Sequence, residues 1–196
     1  MKSEVRVKIC GLWREEDIEV ANKTKPDYVG FVFAKSKRQV SFERAATLRE
    51  KLARDIIAVG VFVDAPVMNI AELVNAGVID MVQLHGNEND EYIRELKLHI
   101  GETPIVSSKP CELADYLIFD GAVPGSGKIF DWTTIPKTLQ PFFLAGGLNP
   151  DNVSEAIAVV KPFAVDISSG VELDGVKNAD LVAAFVANAR SSQAIH

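Results

Sequence analysis

The sequence has few of the features that mark a secreted, membrane-bound or nucleic-acid-binding protein. Its 196 residues include two cysteines, Cys10 and Cys111, which are too few for a disulfide framework and lack the paired Cys/His spacing of a zinc site. No apolar run approaches the ~20 residues of a membrane span, and the N-terminus lacks a signal-peptide core. The net charge of −6 is not the basic surplus of a general nucleic-acid binder. These absences favour a cytoplasmic globular protein that acts on small molecules.

Several catalytic and nucleotide-binding motifs are also missing. The chain contains no Walker lysine motif, no HExxH motif and no GxSxG elbow, which disfavours nucleotide hydrolysis, zinc proteolysis and serine-hydrolase chemistry. The turn after the first apolar run is Cys-Gly-Leu, without the GxGxxG pattern of a dinucleotide-binding turn. The sequence therefore points away from these cofactor and metal classes.

Short β-rich apolar runs alternate with amphipathic stretches, and several runs are apolar at successive positions, as in parallel strands covered on both faces. The eight runs are 5–10, 27–33, 56–62, 79–84, 103–107, 116–119, 141–146 and 163–168. Between two of them, Asn149-Pro150 predicts the start of a helix near 150–159. Eight strands with intervening helices predict one α/β catalytic domain over residues 1–196, a (β/α)8 TIM barrel. An open doubly wound sheet is the alternative, but it usually has about five or six strands.

One connection in this pattern is too short for a full helix. Only residues 108–115 separate the fifth and sixth runs, whereas a parallel crossover normally needs about a dozen residues or more. The helix after the fifth strand is therefore expected to be shortened or missing. Ile105, Leu117 and Phe119 would then need cover where they face outward, either from a laterally shifted helix or from a second subunit in a homodimer.

The residues at the predicted strand ends are the candidates for chemistry, because barrel active sites lie in the loops that follow the strands. Taken alone, each has an ordinary structural explanation: Cys10 as a packed small side chain, Arg38 as part of a solvated loop, and Asp120 as a turn cap. The glycine and serine runs at 145–147 and 168–170 are more informative, because they follow the seventh and eighth strands, where barrel phosphate sites are built. A phosphorylated small molecule is the expected ligand.

Several segments together resemble the phosphoribosylanthranilate isomerase family over nearly the whole chain. The matching segments are KICG (8–11), VGFVFAKSKRQVS (29–41), GVFV (60–63), VQLHG (82–86), GSGKIFDW (125–132), AGGLNPDNV (145–153) and FAVDISSGVE (163–172). Three of them, KICG, QLHG and DxSSGVE, are highly specific in combination.

The resemblance implies a reaction and a role for each candidate. It implies a cofactor-free Amadori rearrangement of N-(5′-phosphoribosyl)anthranilate in tryptophan biosynthesis, without a metal. The implied general base is Cys10 and the implied general acid is Asp120. The implied substrate-binding residues are Arg38 for the anthranilate carboxylate, Gln83 and His85 in the cavity, and Asp166 at the sugar. The implied phosphate-binding residues are Gly146, Gly147, Ser168, Ser169 and Gly170.

The sequence departs from the family at two places. The helix after the fifth strand is usually present in the family but is expected to be shortened or missing here. The loop GAVPGSGK after Asp120 is shorter than expected, which affects the anthranilate side of the site.

Two other functions are compatible with part of the pattern. Another phosphosugar isomerase or epimerase on a TIM barrel would share the phosphate loops but should lack the pair Cys10 and Asp120 together with Arg38. A non-catalytic phosphate-binding paralogue should have lost one member of the catalytic pair, and both are present.

Overall fold

A closed barrel of eight parallel strands forms the centre of the molecule. The computed structural model describes residues 5–121, 132 and 135–191. The strands follow one another around the barrel in chain order, and β8 pairs with β1 to close it. They are β1 Arg6–Cys10, β2 Tyr28–Val32, β3 Ile57–Phe62, β4 Met81–Leu84, β5 Ile105–Ser107, β6 Tyr116–Phe119, β7 Phe142–Leu144 and β8 Ala164–Ile167. The barrel prediction is confirmed, and each strand lies within its predicted run.

Six α-helices accompany the strands within the described ranges. They are α1 Glu15–Thr24, α2 Phe42–Lys51, α3 Val67–Asn75, α4 Asp90–Ile100, α5 Val153–Val160 and α6 Ala179–Ser191. The start predicted for α5 was wrong. The Asn149 side chain accepts hydrogen bonds from the N–H groups of Asp151 and Asn152, which folds 149–152 into a turn, and the helix begins only at Val153. Asparagine closes such turns as readily as it caps a helix, so the pattern itself was ambiguous.

Two apolar layers show which way each strand residue points. The larger layer joins outward strand residues such as Val7 and Ile9 to the helices. The smaller layer contains only residues of the strands and their ends, among them Met81, Ile118 and Ala164, and therefore fills the barrel interior. Because successive strand residues point to opposite faces, every second residue along each strand belongs to the interior.

The segment between β5 and β6 contains no helix, as the short connection predicted. Residues 108–115 form turns and bends, and Ala114 belongs to the same buried apolar layer as Ile105. Asp115 anchors the segment to Ile105 through both its backbone N–H and its carboxylate, at 2.9 Å each. Gln140 donates from its side-chain amide to the carbonyls of Cys111 and Ala114. A segment of turns and bends thus occupies the place of the missing helix.

The outer faces of β5 and β6 are largely covered by the chain itself. Ile105 is 0% exposed and Leu117 is 5% exposed within a single chain. Phe119 remains partly exposed, with its ring against that of Phe142 at 5.1 Å between centroids. Burial of Ile105 and Leu117 therefore needs no second subunit.

After β8 the chain forms a short 3₁₀ turn and a small hairpin before the last helix. The turn is Ser169–Val171, and the antiparallel hairpin consists of β9 Glu172–Leu173 and β10 Val176–Lys177. The hairpin lies at the strand-end side of the barrel, where it brings Glu172 and Lys177 to the loops that follow β2 and β8. No helix among the described residues is long and apolar enough to cross a membrane.

Candidate active site

The interior positions near the strand ends carry polar side chains instead of apolar ones. On β1, Val7 and Ile9 pack outward, so Lys8 and Cys10 point into the barrel. By the same alternation Gln83 on β4 and Asp166 on β8 point inward, and Asp120 continues the inward register of Ile118. The barrel interior is thus apolar at one end and polar at the end where the loops gather.

A buried ion pair joins β1 to β8 beneath Cys10. The Lys8 Nζ lies 2.8 Å from the Asp166 Oδ2, with the two side chains 1% and 8% exposed. The other Asp166 oxygen, Oδ1, is buried and has no hydrogen-bond partner among the described residues. Buried carboxylate oxygens are normally satisfied, so this one is available to a polar ligand in the barrel mouth.

The half-buried thiol of Cys10 ends β1 inside this polar region. Burial raises the pKa of the Cys10 thiol above its ordinary value; Lys8 opposes this rise and Asp166 adds to it. Gly30 on β2 leaves room for the sulfur, because a Cβ at that position would lie 2.7 Å from the Cys10 Sγ. The thiol is therefore closely surrounded and acts as a weak acid in the resting site.

Asp120 lies at the end of β6 beside His85. The His85 Nε2 is 3.8 Å from the Asp120 Oδ2, and the His85 Nδ1 is 3.4 Å from the Gln83 side-chain nitrogen. Burial raises the pKa of the Asp120 carboxyl, His85 opposes the rise, and Asp166 adds to it. A carboxyl with a raised pKa retains its proton to higher pH, as a general acid must. The Gln83 Oε1 is buried without a partner in the described chain and can accept from a ligand.

Arg38 is held by a charged network from the hairpin. Its Nε and Nη2 donate to the two Glu172 carboxylate oxygens at 2.7 and 2.6 Å. The Lys177 Nζ donates to the Glu172 Oε1 at 2.6 Å and to the Ser168 carbonyl at 2.9 Å. Burial acts to raise the pKa of Glu172, but hydrogen bonds and charge from Arg38 and Lys177 outweigh it and hold that pKa below its ordinary value. Within the described part of the chain, this network leaves Arg38 Nη1 for a further anion.

The candidate phosphate loops lie against each other and against β1. A Cβ at Gly170 would lie 2.0 Å from the Leu148 carbonyl oxygen, so the loops after β7 and β8 touch through a position that only glycine can occupy. The Ser168 hydroxyl donates to the Cys10 carbonyl at 3.1 Å, which fixes the loop to β1. No hydrogen bond joins the backbone N–H groups of Gly147 and Ser169 to another described residue. Unpaired N–H groups of this kind are suitable donors for a phosphate.

The sequence-predicted residues of the site therefore lie at one end of the barrel. Two of the segments that the sequence analysis singled out are described only in part. Residues 122–128 of the loop GAVPGSGK and residues 125–131 of the segment GSGKIFDW lie outside the described residues. Three charged residues were missed by sequence reasoning: Lys8, Glu172 and Lys177. Lys8 and Glu172 stand inside the matching segments KICG and DISSGVE, so a charged residue at an inward or loop position was the available signal. Lys177 gave no such signal.

A cavity outside the barrel mouth is a weaker candidate for an anionic ligand. It measures about 490 Å³ and lies beside the segment between β5 and β6. Its lining includes three acidic residues at the start of α4, Glu88, Asp90 and Glu91, with Lys109 and Arg94 as the cations. The acidic residues would repel a phosphate. The described residues contain no group of three or more His, Cys, Asp or Glu side chains that could hold a metal ion.

Comparisons with known proteins agree on one family. The family model described as N-(5'phosphoribosyl)anthranilate (PRA) isomerase matches residues 7–188. The chain is 44% identical to an N-(5'-phosphoribosyl)anthranilate isomerase from Endomicrobium trichonymphae over 198 aligned residues, covering 95% of this chain and 98% of that protein. It is also 44% identical to the protein of that name from Clostridium acetobutylicum, with the same coverage.

Solved structures give the same result for the fold. The crystal structure of phosphoribosyl anthranilate isomerase from Thermotoga maritima is similar with a TM-score of 0.83 and 36% identity, covering 95% of this chain and 99% of that one. A phosphoribosyl anthranilate isomerase in complex with reduced 1-(o-carboxyphenylamino)-1-deoxyribulose 5-phosphate is similar with a TM-score of 0.80 and 35% identity, at the same coverage. A KGPDC from Streptococcus mutans, at 15% identity and a TM-score of 0.70, shares the fold alone.

Proposed function

The chain belongs to the N-(5′-phosphoribosyl)anthranilate isomerase family, whose enzymes act in tryptophan biosynthesis, and we propose that Cys10 and Asp120 carry the two proton transfers of its reaction. The substrate is N-(5′-phosphoribosyl)anthranilate and the product is 1-(2-carboxyphenylamino)-1-deoxyribulose 5-phosphate. The observation that carries the proposal is the placement of both groups in the polar end of one barrel, with Asp120 buried enough to raise its pKa.

Asp120 acts first, as the general acid. Its carboxyl donates a proton to the ribose ring oxygen, the bond from that oxygen to C1′ breaks, and the nitrogen lone pair forms the iminium of a Schiff base. Burial favours the protonated carboxyl needed for this step. The neighbouring His85 limits how far the pKa rises and gives the newly formed carboxylate a polar neighbour.

Cys10 acts second, as the general base. Its thiolate removes the C2′ proton, and the electrons of the C–H bond form an enolamine that tautomerises to the ketone. The iminium withdraws electrons from C2′ and so acidifies this proton within the substrate itself. Acid and base act on different atoms, which fits their origin on different strands, β6 and β1.

The remaining candidates hold the ends of the substrate. Arg38 faces the anthranilate carboxylate through the guanidinium donors that Glu172 leaves available. Asp166 and Gln83 offer the sugar hydroxyls their buried oxygens, which have no hydrogen-bond partner among the described residues. The phosphate lies against Gly146, Gly147, Ser168, Ser169 and Gly170, with backbone N–H groups as the main donors, because the Ser168 hydroxyl is already engaged with the Cys10 carbonyl.

The test is turnover followed by the loss of phosphoribosylanthranilate fluorescence. We expect the purified protein to convert this substrate and the Cys10→Ala variant to be nearly inactive. A second aminoaldose phosphosugar serves as the comparison and should turn over poorly. Near-full activity of Cys10→Ala, in a preparation free of host enzyme, would remove Cys10 as the base. Efficient turnover of the comparison substrate alone would contradict the proposed substrate.

Two sequence-based inferences stay predictions: a cytoplasmic location and one catalytic domain over residues 1–196. A homodimer is also a prediction. One relative, from Thermotoga maritima, is described as a dimeric phosphoribosylanthranilate isomerase from which monomers were made. In this chain the flank of β5 and β6 gives little reason for pairing, because Ile105 and Leu117 are already buried.

A further inference from the structure

A lysine lies inside the barrel two residues before Cys10. Lys8 is 1% exposed, and its neighbours along β1, Val7 and Ile9, pack outward against the helices. Taking an ammonium group out of water carries a desolvation cost that an ion pair does not always repay, and apolar residues of similar volume often serve stability as well or better. Packing alone therefore does not explain a charge at this position.

The neighbours of Lys8 connect it to two groups of the proposed reaction. Lys8 and Cys10 share the inward face of β1, since residues i and i+2 of a strand point the same way. Lys8 is also paired in register with Asp166 across the seam between β1 and β8, and their side chains form the 2.8 Å ion pair. One ammonium thus lies between the proposed base and the proposed sugar-binding carboxylate.

We infer that Lys8 is a positioning residue of the reaction, which supplies the counter-charge for the Cys10 thiolate and turns toward the substrate the Asp166 Oδ1, the oxygen that has no partner among the described residues. This inference rests on the proposed role of Cys10 as the base. It gives the buried lysine a use that an apolar side chain could not replace.

The charges around the thiol support this assignment. Four charged groups face Cys10: Lys8 on β1, Asp166 on β8, Lys177 on β10 and Arg38 in the loop after β2. Burial has the largest effect on the pKa of the Cys10 thiol and raises it. Among the effects that lower this pKa, the charge of Lys8 is the largest. Burial also disfavours the charged form of Lys8, but Asp166 and Cys10 outweigh it and raise the pKa of the lysine, so Lys8 stays cationic.

The experiment measures the ionisation of the thiol directly. Cys10 and Cys111 are the only cysteines of the chain, so a Cys111→Ser background leaves one thiol. Its alkylation by iodoacetamide is followed against pH, because only the thiolate reacts. In that background we expect Lys8→Met to alkylate about tenfold more slowly near neutral pH, which corresponds to a thiol pKa about one unit higher. Lys51→Met, at an exposed surface position, changes the net charge equally and should leave the rate unchanged.

A second variant guards against misfolding. Lys8→Met leaves the Asp166 carboxylate buried without its partner, whereas Lys8→Met with Asp166→Asn removes the pair as a unit. The double variant should also alkylate more slowly than the background, but by a smaller factor, because the repulsion from Asp166 is lost as well. Circular dichroism establishes which variants are folded.

The outcomes separate this inference from the proposed function. Unchanged alkylation in folded variants lacking Lys8 would overturn the inference and leave Cys10 as a candidate base. Slower alkylation together with an unchanged pH profile of kcat/KM would uphold the contact between Lys8 and the thiol and overturn the base role of Cys10. Slower alkylation with a matching shift of the pH profile supports both.

Discussion

The side chains of Cys10 and Asp120 have very different ordinary pKa values, and burial raises both of them. The ordinary pKa values are about 8.5 for a thiol and about 3.9 for an aspartate. In this barrel both pKa values are raised. As long as the thiol keeps the higher of the two pKa values, the state with a thiolate and a protonated carboxyl is less populated than the state with a thiol and a carboxylate. An enzyme of this kind works through a small population, and its rate depends on whatever enlarges that population.

Removing either of the two proposed proton-transfer groups should reduce turnover far more than binding. Cys10→Ser keeps the size but gives a hydroxyl whose pKa is far too high for a base, and Asp120→Asn removes the transferable proton. General acid–base groups contribute typically ~10²–10⁴-fold in rate, so we expect kcat to fall by at least that order with a much smaller change in KM. Steady-state kinetics of both variants provide the check, and a large rise in KM at unchanged kcat would assign the residue to binding instead.

The pH profile of kcat/KM should have limbs in the order that these acidities set. With the thiol as the weaker acid, the acidic limb reports Asp120 and the basic limb reports Cys10. Asp120→Glu, which retains a carboxyl, should therefore shift the acidic limb and leave the basic limb in place. Profiles of the wild type and of this variant decide the order, since a shift confined to the basic limb would mean that Asp120 has the higher pKa.

Gly146 is the position where one added methyl group should disturb catalysis. Its φ is +87°, and a Cβ would lie 2.1 Å from the Gly121 nitrogen and 2.8 Å from the Asp120 Oδ1. Gly175 has a similar φ of +81°, and no atom of the described residues lies within 4 Å of its missing Cβ, so Gly175→Ala is the matched control for backbone strain alone. We expect both variants to lose thermal stability and only Gly146→Ala to lose kcat, because only it displaces Asp120. Equal kcat values in the two variants would contradict this.

The direction of single side chains could be predicted from the sequence, but their contacts across the barrel could not. The inward positions of Cys10, Gln83 and Asp166 follow from alternation along strands whose apolar neighbours are visible in the sequence. The Lys8 contact with Asp166 joins residues 158 positions apart, and no local pattern encodes it. Local spacing predicts the face of a strand but not the charge that meets it across the barrel.

Among the elements, the small hairpin β9–β10 holds residues at two places in the candidate site. It consists of two strands of two residues each, yet its Glu172 holds Arg38 and its Lys177 holds the Ser168 carbonyl. Glu172→Gln should release Arg38 and weaken the phosphate loop, raising KM more than it lowers kcat. The exposed Glu50→Gln on α2 is the control and should change neither. Equal effects of the two substitutions on KM would show that the hairpin does not position the site.

The same carboxylate should contribute to stability in a defined pH range. The pKa of Glu172 is lowered in the folded state, so the folded form binds fewer protons than the unfolded chain as the pH falls. Its contribution is present above the unfolded value of about 4.3 and is lost as the pH falls through the lower folded value. The Tm difference between wild type and Glu172→Gln should thus be constant above about pH 5.5 and shrink below about pH 4.3. A difference that does not change down to pH 3 would contradict the assignment.

The elements themselves were predictable to different degrees. The eight strands and the missing helix after β5 followed from run lengths and from the length of one connection. The start of α5 could not be predicted in this way. Asn149 closes a turn, and the helix begins only after that turn, at Val153. A pattern of apolar residues fixes where an element lies better than where it begins.

At the scale of the whole molecule, each chain buries its own apolar layers. The outward residues Ile105 and Leu117 are covered without a partner despite the missing helix. Folding should therefore not depend on association: we expect the urea midpoint to stay constant over about a hundredfold range of protein concentration. Equilibrium unfolding followed by circular dichroism tests this, and a midpoint that rises with concentration would show that a second subunit stabilises the fold.

The pairing of β1 with β8 also sets the order in which the molecule becomes functional during synthesis. The two strands lie 158 residues apart, at register pairs such as Arg6 with Ala164, and Cys10 and Asp166 stand on opposite sides of that junction. A chain emerging from the ribosome presents β1 first, but this strand keeps an open edge until nearly all the other strands have appeared. The junction closes late, at the entropic expense of a long loop. Enzymatic activity in a nascent chain would accordingly mark the moment at which the ring closes, because the site does not exist in any shorter intermediate.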